Sequence, residues 1–363
     1  TCALPILWAR LSPAVRGVLI YADPRHNSEL AYYTNYVPRL EPALALISRD
    51  DTPIMLPSDP PSMWGAAKRL TWVEEFAPLK HAHVVLAEWK AGATGGPVTT
   101  LGFNAMPPAL HRTIAVALGG MALPDATPTA RELMRVKRPR EVQALRDCAE
   151  TLKAASDALR QAQQSGANAA AAVLETERAA LTAGAQDARI LYSVDGGRSF
   201  RPFADLSDVK ASPLLAYIAV RRFGYWTDGF VTADQASTLH NVVRNALQDM
   251  IANAKAGSPM AALASHPFPP HAMTRASFGA VLGTGLEDDP LTIGPRVVGS
   301  TSLAGALGLA VGQGGGATDD GEQLQDGAVY SLRVGTSEND AHALASAIVL
   351  VREGGNEVLW TSP

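Results

Sequence analysis

The stretch that decides the fold is YIAVRRFGYWTDGFVT, residues 217–232, in which two apolar runs flank the segment RRFG. Both runs are rich in β-branched and aromatic residues, a composition typical of strands. The stretch therefore predicts two neighbouring strands, with Tyr217 on the first and Asp228 on the second. Arg221 and Arg222 are predicted to lie on the loop between these strands and to point to opposite faces.

The sequence around these strands predicts a lobe in which helices and strand pairs alternate. A helix is predicted over residues 139–164 from an apolar stripe at steps of three and four, formed by Leu145, Cys148, Leu152, Ala155 and Leu159. Further helices are predicted at about 169–183 and 235–256. Strands are predicted for RILYSVD, PLLAYIAV, AVYSLRV and ASAIVLVRE, the last joined by the turn GGN to EVLW in a hairpin. This order predicts an α+β lobe with helices on one sheet face.

The first part of the chain predicts a smaller α/β layer structure. Short apolar runs separated by turns predict strands in GVLIYA, LAYYTNYV, ALALIS, PIMLP, HVVLAEW and VTTLGF. Short helices are predicted in PALHRTIAVAL and TARELMRV. A length of 363 residues suits two unequal domains. We place the boundary so that the domains span residues 1–135 and 136–363.

Composition limits the kinds of partner. The formal net charge of -4 is small for this length, and no run of Lys and Arg interleaved with aromatic residues follows a phosphate backbone, so nucleic acid is not an expected partner. Two cysteines, one of them in the predicted apolar stripe, fit a reducing compartment, and we expect a cytoplasmic protein. No signal peptide or membrane helix is expected.

Four stretches in sequence order resemble the creatinase, prolidase and methionine-aminopeptidase superfamily. ELAYYTNYVPRLEPALALI, followed by PIMLP, looks like its amino-terminal domain, and ELMRVKRPREVQALRDCAE is similar to its hinge. YIAVRRFGYWTDGFVT and ASAIVLVREGGNEVLW resemble two strand pairs of its catalytic domain, as in Xaa-Pro aminopeptidases. The resemblance implies a pita-bread domain over residues 136–363, preceded by a creatinase-type domain over residues 1–135.

The resemblance does not extend to the metal ligands. Active metallopeptidases of this superfamily hold two divalent ions with two Asp, one His and two Glu, because hard cations prefer oxygen ligands. The residues of this chain at those five positions are Tyr217, Asp228, Ala280, Arg333 and Ser346. A second His of the family pattern falls on Glu287. One carboxylate beside a permanent guanidinium is a poor metal site, so we expect no metal and no other cofactor.

Asp228 and Arg333 are the candidate centre of a site without metal. A fixed guanidinium can replace cations beside a buried carboxylate, so we predict a direct ion pair between the two side chains. One interpretation is that Arg333 only neutralises a buried charge. The other is that Arg333 holds a substrate carboxylate. In that case the base would be Asp228 or one of two acids in GLEDDP, Glu287 and Asp288.

Further candidates lie near the same strands or in a later loop. The candidate substrate contacts on the strand pair are Tyr217, Arg221, Tyr225 and Trp226. The three aromatic residues would form a wall for a flat ligand, with ordinary packing as the alternative. The arginine would reach an anion, with a solvent-facing turn as the alternative. The resemblance places Phe200 where many members have a proton-handling His. His271, in the loop ASHPFPPHAM, is a reserve candidate for a general base.

Three functions fit these features. The first is a metal-independent hydrolase acting on the C–N bond of a small carboxylated molecule, a chemistry that rests on the resemblance alone. The second is a catalytically silent protein that binds a peptide or protein partner. The third is a metal-dependent Xaa-Pro peptidase, which requires the alignment to have slipped. The resemblance also implies a homodimer.

Overall fold

The structure is a computed structural model, and it describes most of the chain. The described residues are 3–24, 26–90, 96–197, 200–202, 209–233, 238–259, 273–274, 278–279, 297–298, 323–338 and 341–363. The candidate residues His271, Ala280, Glu287 and Asp288 lie outside them. The chain divides into two compact units, with the first ending at Met134 and the second beginning at Arg135.

The first unit is built on a mixed five-stranded sheet. Its strands are β1 (Gly17–Ala22), β2 (Ala43–Ser48), β3 (Ile54–Pro57), β4 (Glu75–Phe76) and β5 (Val98–Leu101). They lie in the order β4-β3-β2-β1-β5, with β1–β5 and β3–β4 parallel and the other pairs antiparallel. Side chains of β1 enter two apolar clusters alternately, Ile20 on one face and Leu19 on the other. Burial on both faces explains the continuous apolar run GVLIYA.

Helices cover this sheet. They are α1 (Ala3–Arg10), α2 (Ser28–Thr34), α3 (Pro61–Ala67), α4 (Ala82–Trp89), α5 (Pro108–Ala117) and α6 (Thr127–Arg135), with 3-10 turns at Leu79–His81 and Phe103–Ala105. The predicted helices in PALHRTIAVAL and TARELMRV correspond to α5 and α6, and both are confirmed.

Two of the predicted strands are wrong, because both segments are helices. LAYYTNYV contains most of α2, whose seven residues are all buried. The helix therefore has no polar face, and its sequence lacks the helical alternation of polar and apolar residues. The helix ends at Asn35, which takes the left-handed conformation that asparagine tolerates. HVVLAEW forms most of α4, where Ala82, Leu86 and Trp89 are buried at steps of four and three. Adjacent valines favoured a strand there, and packing overrode that local preference.

The second unit begins with two helices packed on a sheet. They are α7 (Pro139–Gln164) and α8 (Ala169–Thr182), and the sheet contains β6 (Asp187–Ser193), β7 (Arg201–Pro202), β8 (Leu215–Arg222) and β9 (Tyr225–Thr232). The strand order is β7-β6-β8-β9, with antiparallel pairing throughout. The predicted bounds of α7 are confirmed, and the whole predicted stripe is buried. Its Cys148 is a core residue, and burial raises the pKa of its thiol to about 11.

A second sheet follows, covered by one helix on its outer face. The helix is α9 (Thr238–Asn253), and the strands are β10 (Met273–Thr274), β13 (Val329–Glu338), β14 (Ala341–Leu350) and β15 (Glu357–Thr361), with β11 (Phe278–Gly279) and β12 (Val297–Val298) forming a separate pair. The order is β10-β13-β14-β15. Val243 and Leu247 of α9 pack on Leu332 and Ala345. The predicted hairpin through GGN is confirmed. Within the described residues, no helix has the length and apolarity that crossing a membrane requires.

Candidate functional site

The strand pair β8–β9 packs on helix α7 with one face, and the other face carries the candidate site; strand β9 also contacts the second sheet. Pairing of Tyr217 with Phe230 and of Ala219 with Asp228 places these four residues on the same face, since antiparallel partners share a face. This site face meets β13 through Ser331 and Arg333, and it meets β14 through Leu344. The opposite face packs on α7, where the Cys148 Sγ lies 3.3 Å from the carbonyl oxygen of Tyr225.

A buried polar network occupies the site face. The predicted ion pair is confirmed, because the Arg333 Nη2 donates to the Asp228 Oδ2. The same oxygen accepts a hydrogen bond from the Tyr217 hydroxyl at 2.6 Å, and Oδ1 accepts one from the Ser331 hydroxyl at 3.1 Å. Asp228 and Arg333 are each only 2% exposed. The carboxylate is thus held by three partners away from water.

Electrostatics fix the protonation of the two groups around Asp228. Burial, and then the negative charge of Asp228, raise the pKa of the Tyr217 phenol well above its usual value. Burial lowers the pKa of Arg333, but the nearby carboxylate outweighs it and the pKa is raised. Tyr217 therefore remains a neutral hydrogen-bond donor, and Arg333 remains a cation, at neutral pH.

Ser346 belongs to the same place and links the two sheets. It pairs with Arg333 across β13 and β14. Its hydroxyl accepts a hydrogen bond from the Phe230 backbone N–H at 2.8 Å. The Ser362 hydroxyl donates to the Phe230 carbonyl oxygen at 2.6 Å and accepts from the Ser346 N–H at 2.8 Å. Four positions that the resemblance assigns to metal ligands, occupied by Tyr217, Asp228, Arg333 and Ser346, therefore converge.

These side chains do not fit a pair of divalent ions. Both oxygens of Asp228 already accept hydrogen bonds from protein groups. Arg333 adds a permanent positive charge, and the serine and tyrosine at the other two positions are neutral. In the part of the chain that the structure describes, no three His, Cys, Asp or Glu side chains gather as a metal-binding group.

The other candidates divide between the two faces of the sheet. Phe200 packs edge to face on Phe230, with ring centroids 6.0 Å apart, and belongs to the apolar part of the site face. The Arg221 guanidinium lies 6.0 Å from the Trp226 ring centroid on the same face. The aromatic wall is wrong for Tyr225, because strand alternation turns it to the helix face, where its hydroxyl donates to Glu141 at 3.2 Å.

The predicted loop between Tyr217 and Asp228 is shorter than expected. Arg221 and Arg222 belong to strand β8, and the turn consists of Phe223 and Gly224, both with positive φ. Such a two-residue turn matches the twist of the paired strands. The prediction that the arginines point to opposite faces is confirmed, because Arg222 donates to the carbonyl oxygen of Ala183 after α8.

Two site residues were missed by sequence reasoning. Ser331 stands two positions before Arg333, so the alternation in YSLRV already places both on one face. That signal was available in the sequence. No feature of the sequence pointed to Ser362, because its three hydrogen bonds join backbone groups of Phe230 and Ser346, which are far apart in the sequence.

Replacing Ser362 with alanine is expected to destabilise the protein. The change leaves the Phe230 carbonyl and the Ser346 N–H without that partner in a buried place, at a cost of about 1–3 kcal/mol. Ser165→Ala is the control, since this exposed hydroxyl donates to the Gln161 carbonyl of its own helix, and a change within about 0.5 kcal/mol is expected. Equal urea-unfolding free energies for the two variants would contradict the bridging role.

The pair of sheets with helices on their outer faces, preceded by a smaller α/β unit, defines the class: this is the fold of prolidases and X-Pro aminopeptidases. The prolidase from Pyrococcus horikoshii OT3 matches with a TM-score of 0.74 and 13% identity, over 100% of this chain and 98% of that one. The X-Pro aminopeptidase from Thermotoga maritima MSB8 matches with a TM-score of 0.69 and 16% identity, over 95% and 96%. The predicted α+β pita-bread fold is confirmed.

A third solved structure, Zn-substituted E. coli aminopeptidase P in complex with product, matches with a TM-score of 0.70 and 15% identity, over 98% of this chain and 92% of that one. No protein-family model and no curated protein sequence matches the chain. At identities this low the likeness establishes the fold alone. The activity has to be argued from the residues of the site.

Proposed function

We propose that this chain is a metal-independent protein on the prolidase fold, which binds a peptide or a small carboxylated molecule without hydrolysing it. One observation supports the proposal above the others. The Arg333 guanidinium, buried and paired with Asp228, lies among the four converging positions that the resemblance assigns to metal ligands. The ion pair would then do the structural work of the metal ions by balancing the charge of the carboxylate.

The charge of Arg333 works against a metal ion at this place. A divalent ion about 4 Å from a guanidinium is repelled by roughly 8 kcal/mol at an effective dielectric constant of about 20, twice the value for two unit charges. Binding would also have to remove Asp228 from the hydrogen bonds of Tyr217 and Ser331. With one carboxylate to offset these costs, useful affinity for a metal is not expected.

Binding is favoured over hydrolysis by the state of Asp228. A general base needs an oxygen within hydrogen-bond reach of the proton that it removes. Both oxygens of Asp228 are already engaged by Tyr217, Ser331 and Arg333. The described residues therefore supply an acceptor of fixed hydrogen bonds rather than a base.

Hydrolysis of a C–N bond in a small carboxylated molecule is the second candidate, favoured by the guanidinium that could orient such a substrate. Its candidate acid and base, predicted from the sequence, are Glu287, Asp288 and His271. A bell-shaped pH dependence of turnover would accompany it. We also propose a homodimer and a cytoplasmic location, both from the resemblance and the composition.

Elemental analysis tests the metal-independent proposal directly. Protein purified without chelator is expected to contain far less than one equivalent of manganese, cobalt, iron or zinc. EDTA is expected to leave its melting temperature unchanged, because no bound ion contributes to stability. Xaa-Pro dipeptides are expected to remain intact when manganese or zinc is added.

Asp228→Asn supplies the matched control for that analysis. A metal held through this carboxylate would be lost from the variant, whereas adventitious metal elsewhere would remain. Near-stoichiometric metal in the unaltered protein that disappears in Asp228→Asn, together with cleavage of an Xaa-Pro dipeptide, would establish a metal-dependent peptidase and overturn the proposal.

A further inference from the structure

Arg333 uses only part of its hydrogen-bonding capacity on Asp228. Its Nη2 donates to the Asp228 carboxylate. Its Nε and Nη1 are both buried and have no hydrogen-bond partner among the described residues. Buried donors of a charged group without partners are rare in folded proteins, and each one calls for an explanation.

The hydroxyls around Arg333 do not engage its Nε or Nη1, although the Tyr217 hydroxyl lies close enough to the guanidinium to help raise its pKa. Those of Tyr217 and Ser331 donate to Asp228, and that of Ser346 accepts the Phe230 N–H. The Tyr217 ring lies 5.6 Å from the centre of the guanidinium and packs on it as an aromatic surface. The arrangement fixes the position of the guanidinium through Asp228 and leaves its other nitrogens to an acceptor from another source.

Arg333 is one of three arginines on the site face. The others are Arg189 and Arg221, which pair on strands β6 and β8 with Ala219 and Asp187. Arg189 forms an ion pair with Asp187, and Arg333 forms one with Asp228. Trp226, beside which Arg189 and Arg221 lie, is two positions from Asp228, or about 7 Å along the strand.

Buried apolar side chains surround the ion pair on the same face. Phe200, Leu215, Tyr217, Phe230 and Leu344 belong to one cluster. Rings of Tyr217 and Phe230 lie 5.3 Å apart, so an aromatic surface adjoins the guanidinium. A ligand that suits both features has a single carboxylate and an aromatic or branched apolar body.

We infer that Arg333, through its Nε and Nη1, receives the carboxylate of a monocarboxylic acid with an apolar body. The inference rests on the proposed function, because a metal ion at Asp228 would exclude this use of Arg333. A guanidinium suits the task, since its planar donors match the geometry of a carboxylate. Asp228 acts as the positioning residue, and Arg333 as the ligand contact.

Binding of 3-phenylpropionate, with 3-phenylpropanamide as its uncharged counterpart, tests the inference. Isothermal titration of the full chain is expected to show binding of the acid and at least tenfold weaker binding of the amide. Arg333→Lys keeps a cation beside Asp228 but lacks the guanidinium donors. It is expected to bind the acid about tenfold to a hundredfold less tightly, which corresponds to about 1.4–2.8 kcal/mol, the range of a hydrogen bond to a charged group.

Control experiments distinguish failure of this inference from failure of the proposed function. Arg178→Lys, at an exposed ion pair with Glu175, is expected to bind the acid as the unaltered protein does. Folding of Arg333→Lys is checked by its circular dichroism, and Arg333→Gln serves if the lysine variant is unfolded. Equal binding of acid and amide, no binding of the acid, or unchanged binding in the folded Arg333 variant overturns the inference. Metal analysis, which needs no ligand, decides the proposed function separately.

Discussion

Arg333→Met is expected to lower the free energy of unfolding by about 3–5 kcal/mol, because it leaves Asp228 as a buried charge without its counterion. Methionine retains much of the apolar length of the arginine side chain, so the loss of unfolding free energy is caused chiefly by removal of the positive charge. Tyr217 and Ser331 would still donate to the carboxylate, but two neutral donors do not replace a cation. Urea unfolding followed by circular dichroism measures the change.

The exposed pair Arg178 and Glu175 provides the matched control. These side chains are 74% and 49% exposed, so Arg178→Met is expected to change stability by less than about 1 kcal/mol. The double variant Arg333→Met with Asp228→Asn removes both charges while keeping an acceptor for Tyr217. It is expected to be more stable than Arg333→Met alone. If Arg333→Met costs no more than the control, Arg333 does not stabilise a buried Asp228.

Gly229→Ala is expected to destabilise the protein by about 1–3 kcal/mol or more, although alanine is normally the better strand residue. A Cβ at this position would overlap the ring of Trp360 and lie 3.1 Å from the Ser346 hydroxyl. The Trp360 ring is itself buried and has little freedom to move aside. The loss therefore measures how closely β9 approaches the second sheet.

Gly65→Ala is the control for that substitution, since nothing lies within 4 Å of its added Cβ. Gly65 is within helix α3, so alanine is expected to raise stability by up to about 1 kcal/mol. In a protein that already carries Trp360→Leu, Gly229→Ala is expected to lower the free energy of unfolding by less than it does in the unaltered protein, because the ring that the Cβ would overlap is gone. A Gly229→Ala protein as stable as the unaltered one would contradict the close contact between Gly229 and Trp360.

Much of the second unit was predictable because its elements have clear periods. The stripe from Leu145 to Leu159 has steps of three and four, and α7 has the predicted bounds. The strands around Tyr217 and Asp228 were also predicted, as was the hairpin at the end of the chain. Predictions failed in the first unit where burial removed the period: α2 is buried all round, and the valines of α4 favoured a strand.

Sequence by itself identified Tyr217 on the strand pair, and the resemblance brought Asp228 together with Arg333 although 105 positions separate them. Tertiary structure alone decided that Tyr225 meets Glu141 on the helix face and that Ser362 bridges Phe230 and Ser346. The reason is physical. A sequence states the order of polar and apolar groups along each strand, but the face that is buried, and the donors that meet there, depend on which other strands and helices pack against it.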